Sequence, residues 1–356
     1  MERQLLEPVG RGSVVDVVRR LGGVQAQVAS SAELGVRVRR RSSRSGDVDR
    51  ALAAGRLIKT WAMRGSLHLL TPDDGAALLA LVADAQPWRK PAWDAYFHMD
   101  AARWEAYRDA AREALAGRTL TREELIDAIT SRPGLGHVGE GLRSSWGTML
   151  KPLAWQGDLC YGPSRGNRVT YRRPEDASRA WAGLPPPEAA ATTAIATYFG
   201  AYGPATVDAF RRWLGAGSAR IRRLVREHGQ RLVEVAVDGE PVFVLDEHVD
   251  ALAATRPTSA VRLVPGFDSW VLGPGTKDEH VVAGARRSAV SRQAGWISPV
   301  VVAGGVVSGT WRLDDAQVVV DWFGEMGRPP GAALTEEVAR LAEIHGRPLE
   351  VQIAVT

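Results

Sequence analysis

Apolar positions recur at helical spacing in "TLTREELIDAIT", where Leu125, Ile126 and Ile129 fall on one face. Thr121 stands ahead of them with Glu124 three residues later, the spacing of a capping box, so a helix is expected to open there. After a glycine-rich loop, "RSSWGTMLKPLAWQGDLCYGP" predicts a second helix with Met149, Leu150 and Leu153 inward and its end at Gly157. Two short strands around "PSRGN" then form a hairpin. Helix, helix and hairpin in that order is the layout of a winged helix.

The same order is expected twice more. Upstream, helical "SAELGVRVRRR" and a helix ending at Gly55 precede strand-like "LIKTWAMRGSLHLL". Downstream, "TAIATYFGAYGPATVDAFRRWLG" and "SARIRRLVREHG" read as helices, and "RLVEVAVDGEPVFVL" as two strands joined across Asp238-Gly239. The proline run at Pro185 to Pro187 and "ALAATRPTSA" bound the third unit. Beyond Val261, valine-rich strands with a Gly304-Gly305 turn suggest a small β-rich barrel or sandwich, finished by the helix "LTEEVARLAEIHG" and the strand "PLEVQIAV". The expected fold is therefore α+β, with units at 1–95, 105–178 and 188–255 and a β-rich domain at 258–356.

Composition narrows the class. A hydrophobic fraction of 45% and a charged fraction of 24% are those of a folded globular chain and not of a disordered one. No run of about 18 apolar residues exists to span a membrane. The start, "MERQLLEPVGRG", lacks the apolar core of a signal peptide, so a cytoplasmic protein is expected. The single cysteine, Cys160, rules out an internal disulfide and a thiolate-rich zinc site.

The net charge is only +4, but the positive charge is clustered and mostly arginine, whose planar fork suits phosphate. Arg37, Arg39, Arg40, Arg41 and Arg44 form one group; Arg211, Arg212, Arg220, Arg222, Arg223, Arg226 and Arg231 form another. Each run alone reads equally as a solvated helix face. Two such clusters on helices of the same kind of unit favour a phosphate track.

Several familiar chemistries fail on context. Gly134, Gly136 and Gly139 have G-x-G-x-x-G spacing but follow a helix and not a strand, so a loop is the better reading than a dinucleotide site. The seven histidines never take metal-ligand spacing, and no metal site is expected. His68 alternates with Ser66 and Arg64 along a strand, so the three are expected on one polar face that would line a groove; a structural histidine is the plainer alternative.

The remaining polar signal is "GGVQAQVASSAELG". Ser30 has Glu33 three residues on, so the helix is expected to begin near Ser31, leaving "VQAQV" extended. In an extended chain, Gln25 and Gln27 point the same way. In a helix they would lie about 200° apart and could not act together. Two amides on one face either satisfy backbone groups at the helix entry or hold something.

These stretches, with "KTWAMRGSLHLLTPDD", "LKPLAWQGDLCYG", "LVPGFDSWVLG" and "PVVVAGGVVSGTWR", resemble the tandem winged-helix superfamily of bacterial DNA glycosylases. Studied members of that superfamily include enzymes that unhook DNA interstrand cross-links and an azinomycin-resistance protein. The resemblance spans nearly the whole chain, and its most specific part is Q-x-Q followed by the T-W-x-x-R-G-S-L-H strand. It implies three winged helices and a C-terminal β-barrel in a C-shaped molecule, with Gln25 and Gln27 as the catalytic pair. A related branch has aspartate at the second position; this chain resembles the glutamine branch. It departs from the family where an Asp-Arg and a His-Arg pair are common. Here "GPGTKDEH" and "GARRSAV" place Lys277, Arg286 and Arg287, which keeps the positive charge but bears on substrate range.

The implied protein is a monofunctional DNA glycosylase for N7-alkylated purines, with cross-link unhooking among its implied reactions. It works without metal or organic cofactor, on alkylated or cross-linked double-stranded DNA, and as a monomer. DNA contacts are expected from Arg37, Arg40, Arg41, Arg64, Ser66, His68, Arg222, Arg223, Lys277, Arg286 and Arg287. The competing readings are a non-enzymatic winged-helix transcription regulator, which needs side chains reaching base edges, and a protein-binding scaffold, which needs exposed apolar patches.

Overall fold

The computed structural model describes residues 1–144 and 146–356. Ser145, in the stretch expected to open the second helix of the middle unit, lies outside the described residues. The chain mixes helices and strands, as the α+β reading has it, and divides into two compact units. One comprises Met1–Val48, Ala196–Trp213 and Arg231–Thr356; the other comprises Asp49–Ile195 and Leu214–Gln230.

The first unit is built on a five-stranded sheet of Val261–Val264, Val300–Ala303, Val306–Asp314, Gln317–Trp322 and Glu350–Val355. Neighbours pair antiparallel in chain order until the last two strands, which run parallel. A parallel pair needs a long crossover, and the helix Gly331–His345 supplies it. That helix lays Leu334, Val338 and Leu341 against Leu263, Trp311, Val318 and Val320. Leu6, Val38, Phe267, Val271, Val290 and Ile297 form a second buried cluster with Val264, Val300, Val302 and Val307. Burial on both faces explains why these strands read as near-continuous valine and not as an alternation. In the hairpin Leu232–Val237 with Glu240–Leu245, Asp238 and Gly239 take φ of 51° and 83°. That is the paired positive φ which a two-residue turn of this hand requires.

One polar contact ties the N-terminal segment to this core. Arg39 and Asp268 are buried and meet as a fork, Nη1 to Oδ2 and Nη2 to Oδ1, both at 2.7 Å. Arg39 also donates to the carbonyls of Gln4 (2.9 Å) and Gly35 (2.8 Å). Asp268 Oδ1 accepts from the Trp270 N–H at 2.8 Å and caps the short helix Ser269–Leu272. A fork with its remaining groups bonded is the geometry in which a buried ion pair offsets its desolvation.

In the second unit the expected capping box is complete: Thr121 Oγ1 accepts from the Glu124 N–H, and the Glu124 carboxylate from the Thr121 N–H. The helix Arg122–Thr130 follows, and Leu150–Trp155 carries Leu150 and Leu153 inward beside buried Met149. Gly157 turns the chain out at φ 73°. The strands Leu120–Thr121, Thr170–Arg172 and Cys160–Tyr161 form a small antiparallel sheet. A second hairpin pairs Ile58–Trp61 with Leu67–Leu70 in the register Thr60 opposite His68. The stretch after Gly134, expected as a loop, forms a 3-10 turn at Gly136–Val138 and a short α-helix at Gly139–Arg143, and is preceded by a helix and not a strand.

Replacing Asp268 by Asn leaves a buried guanidinium without its counter-charge. Equilibrium denaturation is expected to show a loss of about 3–5 kcal/mol, the cost of breaking a buried pair from one side. A change below about 1 kcal/mol, the size of an exposed pair, would show that the fork is dispensable.

Candidate active site

The Gln25 segment is shaped from both ends. The helix Val14–Arg20 opens with a capping box between Ser13 and Asp16 and closes at Leu21. Gly22 and Gly23 then take φ of 63° and 113°. A Cβ on Gly22 would lie 2.5 Å from Thr197 Cγ2 and 3.3 Å from the Trp213 ring, so only glycine fits this bend. The buried Tyr202 hydroxyl donates to the Leu21 carbonyl at 2.6 Å. Tyr202 itself packs among Tyr198 and Trp213.

Val24–Gln25 is a two-residue strand, and Val28 is also extended. Val24 and Ala26 are buried, Gln25 is half-buried and Gln27 is exposed, which is the alternation expected of an extended segment. Gln25 Oε1 is shut off from solvent and, among the described residues, accepts no hydrogen bond. A buried carbonyl oxygen left bare costs about 1–3 kcal/mol, so its vacancy calls for a reason.

The helix begins earlier than the Ser30-Glu33 pattern led one to expect. It runs Ala29–Arg37 with Val28 as its cap residue and no side-chain cap. Glu33 is drawn away instead: its carboxylate accepts from the backbone N–H of Gly46 (3.0 Å) and Val48 (3.2 Å).

The arginines that follow have mixed fates. Arg37 donates to Ser43 Oγ and the Ile344 carbonyl, and Arg40 pairs with Asp47 at 2.5 Å and donates to the Gly12 carbonyl. Both hold the unit together. Arg41 is exposed. In the same unit Lys277 is exposed and lines a cavity of about 1160 Å³ with Arg3, Tyr202 and Trp270. Arg286 is tied at 2.7 Å to both Glu325 oxygens and to the Thr356 carbonyl, and lies over the Phe323 ring. Its guanidinium holds the Glu325 carboxyl down at about 2. Its neighbour Arg287 is exposed.

The second unit holds the other candidates, and here the shared polar face fails. Residues Met63–Gly65 form a tight turn with Arg64 at φ 55°, so Arg64 is exposed on a turn and not on the strand. Ser66 is half-buried and donates to the Met63 carbonyl at 3.2 Å. Leu67, His68, Leu69 and Leu70 are all buried, so His68 faces protein and not a groove. Its Nδ1 lies 2.9 Å from the Ser66 carbonyl, which can only accept, so Nδ1 carries the proton and Nε2 is the acceptor. Burial, aided by the Arg64 charge, lowers the His68 pKa to about 3, against the Ser66 hydrogen bond. The ring is neutral at physiological pH. Arg222 and Arg223 are exposed on the helix Ser218–His228. A Cβ on Gly215, just ahead of that helix, would lie 2.9 Å from the Arg64 amide, so this unit brings the Arg64 turn close to the helix start.

Cys160 is buried, and burial pushes its thiol up to about 12, which leaves it unreactive. Among the described residues no group of three or more His, Cys, Asp or Glu side chains converges as a metal site would need. No helix is long and apolar enough to cross a membrane.

Gln25, on a strand anchored at its glycine bend, and Gln27, two residues on, therefore stand in a chain that carries exposed arginines in both units. The family profile described as DNA glycosylase AlkZ-like matches residues 18–344. The chain belongs to this family and is a DNA glycosylase, an enzyme that hydrolyses N-glycosyl bonds. It is 45% identical over 350 residues, 97% of this chain and 94% of the other, to the interstrand DNA cross-link repair glycosylase of Streptomyces sahachiroi. The solved structure of Streptomyces sahachiroi DNA glycosylase AlkZ superimposes with a TM-score of 0.95 and 45% identity, over 99% of this chain and 97% of that one. A non-enzymatic regulator is thereby set aside.

Tyr202 and Asp268 are not singled out by the sequence, and Arg39, counted there in a cluster suited to phosphate, is buried against Asp268. Asp268 offered a signal, an acid inside the apolar stretch "LVPGFDSWVLG"; Arg39 offered none, one arginine among five.

His68 also makes stability depend on pH. The unfolded chain takes up the proton near pH 6.5, the folded chain only near 3. Its contribution is therefore complete above pH 6.5 and declines as pH falls towards 3, by about 1.4 kcal/mol per pH unit. The difference in unfolding free energy between the native chain and His68→Asn is expected to shrink over that window. A difference constant with pH would contradict a neutral buried His68.

Proposed function

We propose that this DNA glycosylase releases N7-alkylated purines, and unhooks cross-links made through guanine N7, with Gln25 and Gln27 positioning the attacking water. The observation that carries this is the bare, buried Gln25 Oε1 beside the outward Gln27. The whole-length likeness to a cross-link repair glycosylase supports the substrate class.

Alkylation at N7 puts a positive charge on the base, so when the C1′–N9 bond breaks its electron pair neutralises the leaving group. No general acid is required. The sugar passes through an oxocarbenium-like state, as in glycoside hydrolysis. A glutamine carbonyl accepts a hydrogen bond from water and aims its dipole at that cation. It cannot take the proton, which leaves to solvent after water has bonded to C1′. The reaction is monofunctional and ends at an abasic site.

The finer architecture we read as three winged-helix units, 1–95, 105–178 and 188–255, and a barrel-like domain, 258–356, in a C-shaped monomer. Of the arginines and lysines named from the sequence, Arg41, Arg64, Arg222, Arg223, Lys277 and Arg287 are those exposed and suited to phosphate. Arg37, Arg40 and Arg286 are better read as scaffold, given their protein partners. His68 and Ser66 support the hairpin beneath Arg64.

The test is base release from N7-methylguanine DNA by the Gln25→Ala, Gln27→Ala double variant. One preorganised dipole is worth about 2.7–4 kcal/mol elsewhere, so a loss of at least about 100-fold is expected with DNA binding kept. Unchanged release would remove the glutamines from the mechanism.

A further inference from the structure

The loop Ser291–Ile297 presents an indole to solvent. Trp296 is 50% exposed, although Phe267, the aromatic side chain it packs against, is buried. The exposure is built. Arg292 N–H donates to the Trp296 carbonyl (2.8 Å) and Trp296 N–H to the Gln293 carbonyl (3.2 Å), across a turn at Ala294 and Gly295 with φ of 56° and 74°. Ser298 N–H donates to the Val290 carbonyl (2.9 Å), and Ser298 Oγ to the Ala289 carbonyl (2.9 Å). The Trp296 ring stands edge-on to Phe267 at 5.0 Å. Phe267 takes φ 60°, unusual for an aromatic residue, and a Cβ on Gly266 would come within 2.8 Å of the Ile297 carbonyl. The backbone is strained and close-packed where it supports this ring.

The surroundings identify what covers it. Arg287 and Arg292 precede the ring by nine and four residues, both are exposed, and neither makes an ion pair among the described residues, while Arg292 Nε donates to Ser298 Oγ at 3.1 Å. The loop hangs on the buried cluster of Phe267, Val290 and Ile297, against which Val28, the residue after Gln27, also packs. A rigid aromatic face with two exposed arginines a few residues upstream, on the same core as the glutamine segment, matches a nucleic acid, with phosphates on the arginines and a base face on the ring.

We propose that Trp296 stacks on a DNA base while Arg287 and Arg292 hold the adjoining phosphates. This rests on the chain's being a DNA glycosylase and not on the roles of Gln25 and Gln27. The test measures the affinity of the full chain for an N7-methylguanine duplex by fluorescence anisotropy. Trp296→Ala and Trp296→Leu are each expected to weaken binding about tenfold, and Trp296→Phe to stay close to wild type. Leucine keeps the apolar packing on Phe267 and so separates stacking from folding. Arg292→Ala is expected to lower the salt dependence by about one phosphate contact. Wild-type affinity in Trp296→Leu, or equal weakening by Phe and Leu, would overturn the stacking role. Base release at saturating protein, lost only in the glutamine variants, keeps the two proposals apart.

Discussion

The buried fork between Arg39 and Asp268 is the contact on which the geometry of the Gln25 segment depends. Arg39 lies two residues beyond the helix Ala29–Arg37, and that helix begins two residues after Gln27. Fixing the far end of the helix to Asp268, while Arg39 also holds the Gln4 carbonyl, leaves its near end little freedom. At the other side of the glutamines, the Gly22-Gly23 bend packs against Thr197 and Trp213, and Tyr202 holds the Leu21 carbonyl. The amides therefore project from a segment restrained at both ends.

That restraint matters because the proposed catalyst is a dipole and not a charge. A carboxylate would attract a cation from any nearby direction, whereas an amide helps only when aimed. A dipole fixed in advance loses nothing to reorientation as the sugar cation forms. Gln25 Oε1 is buried and accepts no hydrogen bond among the described residues, which leaves it open to such a role.

Much of this was legible from the chain, and the parts that were not share a cause. Patterns set by local rules came through: the Thr121-Glu124 box, the Asp238-Gly239 turn and the Gly304-Gly305 turn all sit where expected. The extended "VQAQV" did so in part, with Val24–Gln25 a strand and a bend at Gln27 and Val28. The Ser30-Glu33 box failed because Glu33 found distant backbone donors at Gly46 and Val48. The polar face at Arg64, Ser66 and His68 failed because a tight turn intervenes and the strand is buried on both sides. Among the arginines, spacing could not tell the buried Arg39 from the exposed Arg41, since the difference lies in a partner far along the chain.

The most direct measurement is a high-resolution crystal structure of the protein on DNA carrying a cationic abasic-sugar analogue. An ordered water is expected about 2.6–3.2 Å from Gln25 Oε1, shared with Gln27 and facing the position of C1′. Density showing Oε1 bonded to a backbone N–H, with no water between the amides and the sugar, would contradict it.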